Sequence, residues 1–140
     1  MKPARHPLRS AVLAIALGMT SLLAQAGAPD AAHGKQVYAR CLACHAMAWD
    51  RVGPRHCGLI GRRAGTVAGF DYSPAMKKSG LVWDEKTLNL FIKKPLKLVP
   101  GSSMTYDGVP DATDRTDLIA YLKKANSGAE CNPHKESATP

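Results

Sequence analysis

The chain contains Cys41-Leu42-Ala43-Cys44-His45, the most informative short stretch of the sequence. Two cysteines three positions apart on a helical turn project to the same side, where their sulfurs can bond to the two vinyl groups on one edge of a haem. The following histidine is then carried beneath the iron, where its imidazole supplies an axial ligand. The pattern therefore predicts one haem, attached through Cys41 and Cys44 and ligated by His45.

Three other kinds of site use paired cysteines: a structural disulfide, a thioredoxin-like redox pair and half of a zinc site. A redox pair expects a βαβ context, which this helically patterned chain lacks. A zinc site expects a second Cys or His pair at ligand spacing, and the sequence has none. Haem attachment is favoured, and a disulfide stays open as the alternative.

A second axial ligand is predicted at Met104, because residues 100–104 read Pro-Gly-Ser-Ser-Met on a loop between two predicted helices. A buried core methionine prefers a helix face. Thioether sulfur is a soft ligand that stabilises ferrous iron and closes the iron to other ligands. Met47 is too close to His45 to reach the opposite haem face, and Met76 lacks the Pro-Gly loop.

The patterning predicts an all-α protein, since no stretch alternates apolar and polar residues for long enough to make a strand. Helices are expected after two capping aspartates, after Ser73-Pro74 and in the last apolar segment. The first helix begins after Asp30 and runs on to Cys41, and another begins after Asp84 and ends at Pro95. The last helix has three acids near its start, which match the helix dipole: Asp111, Asp114 and Asp117.

The first 26 residues are predicted to be a signal peptide. Three cations in the first nine residues precede an apolar run, residues 11–24, that is shorter than the roughly 20 residues a membrane span needs. Ala24-Gln25-Ala26 is a small-residue cleavage pattern, so we expect cleavage after Ala26 and export to the periplasm. An uncleaved membrane anchor is the alternative. Residues 27–140 then form one domain, with a core of about residues 30–125 and a polar tail of residues 126–140.

The charge is moderately basic, because three cations leave with the signal and the formal net charge falls from +8 to +5. Acidic residues separate the cations, which argues against nucleic-acid binding. Five cations near the attachment motif and the Met104 loop are predicted to ring the haem edge and attract acidic partners. They are Lys35, Arg40, Lys93, Lys94 and Lys97.

An ordered set of motifs in this chain resembles the class I cytochromes c, of the mitochondrial and bacterial cytochrome c2 type, over roughly residues 32–125. The set consists of Cys41-x-x-Cys44-His45, Gly53-Pro54, Gly61-Arg62, Gly65, Trp83, Pro95, Pro100-Gly101-x-x-Met104 and Leu118-Ile119-Ala120-Tyr121-Leu122-Lys123-Lys124. The resemblance implies helices and loops wrapped around one covalently bound haem c. It also implies a monomeric electron carrier, not an enzyme, that meets membrane respiratory complexes, oxidases or periplasmic dehydrogenases.

Further residue roles follow from the resemblance alone. The carbonyl of Pro54 would accept the Nδ1 proton of His45, and Arg62, Tyr72 and Trp83 would hydrogen-bond a buried haem propionate.

Where the two terminal helices cross, the resemblance implies that Gly34 and Tyr38 pack against Leu118 and Tyr121. The glycine would allow the helices to approach closely.

The chain also departs from the family. Phe91 replaces a usual tyrosine and Met76 a frequent asparagine, which predicts a drier haem pocket. Cys57 and Cys131 remain once the other two cysteines are spent on haem, so we predict a Cys57–Cys131 disulfide, with free or intermolecular thiols as the alternative.

A haem enzyme or gas-binding sensor, in which Met104 dissociates, is the alternative function, although no distal His or Arg pair is recognisable. His33, His56 and His134 have no evident partner and are expected on the surface.

Overall fold

The computed structural model describes residues 27–132, so the predicted signal peptide and His134 lie outside the described residues. Over this range the secondary structure is helical apart from one antiparallel bridge, between Arg63 and Val82. The helices are α1 Ala31–Tyr38, α2 Pro74–Lys78, α3 Glu85–Lys93, α4 Pro95–Leu98 and α5 Ala112–Ser127, with a 3-10 turn at Ala39–Cys41. The predicted all-α class is confirmed. None of these helices is long and apolar enough to cross a bilayer.

The predicted helix starts are confirmed by side chains that accept hydrogen bonds from otherwise unpaired backbone N–H groups. Asp30 caps α1, Ser73 caps α2 and Asp111 caps α5. Asp84 and Thr87 form a reciprocal capping box at the start of α3.

The predicted helix ends need three corrections. The first α-helix ends at Tyr38 and reaches Cys41 only through the 3-10 turn. Pro95 ends α3 but also begins α4, because the first position of a helix needs no N–H donor. Finally, α5 runs to Ser127, so residues 126–127 of the predicted tail are helical.

The crossing of α1 and α5 confirms the predicted close approach. A Cβ atom on Gly34 would lie 1.9 Å from the carbonyl oxygen of Asp117 and 2.9 Å from the backbone nitrogen of Leu118. The rings of Tyr38 and Tyr121 pack with centroids 5.1 Å apart. Because backbone meets backbone at Gly34, no larger residue fits without separating the helices.

We therefore expect Gly34→Ala to lower the free energy of unfolding by about 1–3 kcal/mol, the usual cost of overpacking. Glycine to alanine inside a helix normally stabilises by roughly 0.5–1 kcal/mol, so the predicted sign is the reverse of that given by helix propensity. Urea unfolding measures the change, and Gly27→Ala, with no atom within 4 Å of the added Cβ, is the control. A Gly34→Ala protein as stable as the parent would contradict the packing.

A hydrogen-bond network ties the start of α1 to α5. The Asp30 N–H donates to Asp117 Oδ1 over 2.8 Å, and His33 Nδ1 lies 2.8 Å from Asp117 Oδ2. His33 Nε2 also lies 3.7 Å from a carboxylate oxygen of Asp114. The hydrogen bond to Asp117 raises the pKa of His33, and the same bond lowers the pKa of Asp117. The expectation that His33 has no partner is wrong, because the partner is 84 residues away in sequence.

The His33–Asp117 pair predicts a pH-dependent contribution to stability. The His33 part is present below its unfolded pKa of 6.5 and is lost as the pH rises through its raised folded pKa. The Asp117 part is present above its unfolded pKa of 3.8 and is lost as the pH falls through its lowered folded pKa. We expect His33→Gln to destabilise most between these two unfolded values and less outside them. Urea unfolding at pH values below, between and above these two unfolded pKa values tests the prediction. A difference in unfolding free energy between variant and parent that does not change with pH would contradict the pairing.

Candidate cofactor site

A cavity of about 400 Å³ opens between the attachment motif and the helices α2 and α3. All eight residues predicted to bind the cofactor line it: Cys41, Cys44, His45, Pro54, Arg62, Tyr72, Trp83 and Met104. The remaining wall includes apolar side chains that the sequence analysis did not assign to the cofactor, among them Leu59, Phe70 and Leu88. Their apolar character alone does not separate a cofactor wall from an ordinary core.

The attachment motif forms a tight turn that continues from the 3-10 turn after α1. The N–H groups of Cys44 and His45 both donate to the Cys41 carbonyl, over 3.1 and 2.8 Å. Both cysteines are free thiols, and burial raises the pKa of Cys41 to about 11. An uncharged sulfur suits this position, and the thioether of a covalently attached haem is uncharged. The disulfide alternative for this pair is not formed in the structure.

His45 is buried and presents one ring nitrogen for a metal. Its Nδ1 lies 2.8 Å from the Pro54 carbonyl oxygen, which can only accept, so Nδ1 carries the proton and Nε2 keeps its lone pair. Burial lowers the pKa of His45 more than the Pro54 hydrogen bond raises it, which favours the neutral imidazole that binds metals. A Cβ on Gly53 would lie 2.3–2.6 Å from three ring atoms, so only glycine fits against this ring.

Arg62 lines the cavity and carries a buried, unpaired donor. One terminal nitrogen donates to the Cys57 carbonyl and the other to the Arg55 carbonyl, each over 3.0 Å. Its Nε is buried and has no hydrogen-bond partner among the described residues. Because buried N–H groups are rarely left unpaired, this one fits an anionic acceptor such as a haem propionate. Tyr72 and Trp83 line the same cavity.

Two of the three candidate methionines reach the cavity. Met104 lies on the loop after α4, and its N–H donates to the hydroxyl oxygen of Ser102 over 3.2 Å. Met76 lines the cavity from α2, whereas Met47 belongs to the hydrophobic core and is not among the lining residues. The Ser102 hydroxyl therefore helps to fix the backbone turn that leads into Met104.

Cys57 and Cys131 are joined by a disulfide bond in the structure, with Cα atoms 5.3 Å apart. The bond links the loop after Pro54 to the segment after α5. The N–H of Leu59 donates to the Asn126 side chain over 2.9 Å, which makes a second link, between the same loop and the last turn of α5.

His56 lies at the site, and the expectation that it is a surface residue without a partner is wrong. It is partly buried, and its ring stacks on that of His45 with centroids 4.3 Å apart and planes inclined by 22°. Its Nδ1 lies 3.0 Å from the Tyr38 hydroxyl. Burial, and then the nearby His45 and Arg62, lower its pKa to about 3, so the ring is neutral. Nothing in the sequence spacing indicates this contact, because the loop brings the two rings together.

The cavity is lined by two thiols, an imidazole, a guanidinium with an unpaired donor and a thioether on a loop. These groups suit the class of proteins that hold a haem covalently. The family model described as Cytochrome c matches residues 31–126. The chain belongs to the cytochrome c family. It is an electron-transfer protein, not an enzyme, and the family implies a covalently bound haem c.

Individual relatives agree with this assignment. Cytochrome c2 from Blastochloris viridis is 43% identical over 112 residues, covering 78% of this chain and 88% of the relative. Cytochrome c2 from Rhodoblastus acidophilus is 46% identical over 102 residues, covering 71% of this chain and 94% of the relative. The solved structure of cytochrome cH from Methylobacterium extorquens is similar with a TM-score of 0.66 and 43% identity, covering 68% of this chain and 98% of that one. The predicted class I cytochrome c fold is confirmed.

Proposed function

We propose that the protein is an exported, periplasmic carrier of single electrons, with one haem attached through Cys41 and Cys44 and ligated by His45 and Met104. The observation that carries this proposal is the convergence of all eight predicted residues on one cavity. When bound, the haem iron supplies the chemistry by accepting and releasing one electron.

The protein's part is to supply both protein ligands of the haem iron, which would be His45 and Met104. His45 is held by the Pro54 carbonyl and the Gly53 backbone, while Ser102 accepts a hydrogen bond from the backbone N–H of Met104 and fixes the local turn. With both residues bound, no position would be left open for a substrate. The two fixed ligands would also let the oxidation state change with little movement, which suits a carrier.

The residues of the cavity wall would offset the charge of a haem propionate and keep water out of the cavity. Arg62 would donate its unpaired Nε–H to a haem propionate, and the positive guanidinium would offset the negative charge of that buried carboxylate. The apolar side chains of Met76 and Phe91 line the cavity where polar groups would attract water. A dry, apolar surrounding disfavours the extra charge of ferric iron and so raises the reduction potential.

The mouth of the cavity offers both charge and apolar surface to a partner. Arg40 lines the cavity and is paired with Asp114 over 3.1 Å, so its charge is partly offset. Lys93 and Lys97 are exposed on α3 and α4, which precede the Met104 loop in the chain, while Val52, 81% exposed, lines the cavity and offers an apolar contact. We propose redox proteins with acidic docking surfaces as partners, in the small and weak encounters that rapid turnover requires.

The binding of carbon monoxide tests the carrier against the enzyme or gas-sensor alternative. We expect the exported, reduced protein to keep its visible spectrum under carbon monoxide, because both axial positions are filled. The family assignment does not favour the alternative. A rapid spectral change to a carbon monoxide complex would refute the proposal that protein ligands occupy both positions of the iron.

A further inference from the structure

The imidazole of His45 has a neighbour that haem attachment and ligation do not explain. Besides the Pro54 carbonyl and the Gly53 backbone, the ring of His56 lies against it, nearly parallel, at a centroid distance of 4.3 Å. The contact is between two rings and involves no hydrogen bond between them. It covers a face of the imidazole, whereas the Pro54 carbonyl holds only its edge.

His56 is itself held from several sides. The Tyr38 hydroxyl lies 3.0 Å from its Nδ1, and its backbone N–H donates to the carbonyls of Ala46 and Met47 over 3.1 Å each. Its neighbour Cys57 is joined to Cys131 through the disulfide. The ring therefore belongs to an anchored segment and not to a mobile loop.

A metal-bound imidazole can rotate about the bond between the metal and Nε2. One hydrogen bond from Nδ1 restricts this rotation only partly, because hydrogen bonds to a carbonyl oxygen tolerate a broad range of directions. A second ring stacked on the face resists rotation by steric contact. Partners of a metal-ligating histidine set its orientation and its basicity in this way.

We propose that His56 is a positioning residue for the iron ligand: its ring, oriented by the Tyr38 hydroxyl, sets the plane of the His45 imidazole and shields that imidazole from water. The inference rests on the proposed ligation by His45 and concerns how that ligand is held. Tyr38 is 3% exposed and lies at the crossing of α1 and α5. The side chains of Tyr38 and His56 therefore connect the packed terminal helices to His45.

Three variants of the exported haem protein test the proposal. His56→Ala removes the stacked ring, His56→Phe keeps a ring but loses the link to Tyr38, and Tyr38→Phe removes only the hydroxyl. Ile119→Ala is the control, because it weakens the core on α5 and Ile119 does not line the cavity.

The readouts are the order of the four haem methyl resonances in the proton NMR spectrum of the ferric protein, and the reduction potential. The methyl order reports the direction of the axial imidazole plane, which a loss of stability elsewhere does not change.

We expect His56→Ala to change the methyl order and lower the potential, because water then reaches the imidazole and stabilises ferric iron. Tyr38→Phe should change the spacing of the resonances, and His56→Phe should stay closer to the parent than His56→Ala does. Ile119→Ala should lose stability with both readouts unchanged. If His56→Ala behaves like Ile119→Ala, the proposal is overturned.

Two outcomes separate the possible failures. Should His56→Ala not fold with haem, Tyr38→Phe decides, since it keeps both rings, and an unchanged methyl spacing then overturns the proposal. If the parent protein itself lacks the low-spin spectrum and the far-red methionine–iron band, the proposed His45 and Met104 ligation fails instead.

Discussion

Replacing Met104 with alanine is expected to abolish the far-red methionine–iron band, lower the reduction potential and let carbon monoxide bind the ferrous protein. Loss of the soft sulfur removes the ligand that favours ferrous iron and leaves one axial position open. Axial ligands set haem reduction potentials over a range of roughly 0.8 V. We expect the potential of the variant to fall by a large part of this range. Visible spectroscopy, redox titration and carbon monoxide binding measure the three effects.

Two matched variants show whether Met104 alone is responsible. Met76→Leu changes the other methionine in the cavity wall, and Met47→Leu changes a core methionine outside it. Both should retain the far-red band and resist carbon monoxide. If Met76→Leu loses the band while Met104→Ala keeps it, the ligand is assigned to the wrong residue.

Removing the Cys57–Cys131 disulfide is expected to give the largest loss of stability. The bond closes a loop with a sequence separation of 74, for which the chain-entropy account gives about 4 kcal/mol. We expect the double variant Cys57→Ser with Cys131→Ser to lose about this much in urea unfolding while keeping its haem spectrum. A double variant as stable as the parent would contradict the prediction.

Counting thiols provides an independent check on the same bond. The haem-loaded protein, unfolded without reductant, should show no reactive thiol, because two cysteines are thioethers and two are bridged. Two reactive thiols would exclude the Cys57–Cys131 bond in solution.

Much of the fold could be predicted because its signals are local. A capping aspartate acts on an N–H two or three residues away, so Asp30 and Asp84 mark their helices in the sequence itself. The attachment motif spans five residues. The resemblance to a known family then supplied what local patterns do not contain, such as the close approach at Gly34.

The histidine contacts could not be predicted, because each depends on residues brought together by the whole fold. His33 meets Asp117 across 84 positions, and the stacking of His56 on His45 depends on the path of an irregular loop. The start of α4 at Pro95 was missed for a different reason. Proline ends one helix and is equally suited to begin another, so its presence alone does not separate the two cases.

The mass and visible spectrum of the protein recovered after export test the central proposal most directly. One haem bound through Cys41 and Cys44 predicts a mass larger than that of residues 27–140 by a single haem. It also predicts a sharp α band on reduction and a weak far-red band on oxidation. A colourless protein with the mass of its amino acids alone would contradict the account.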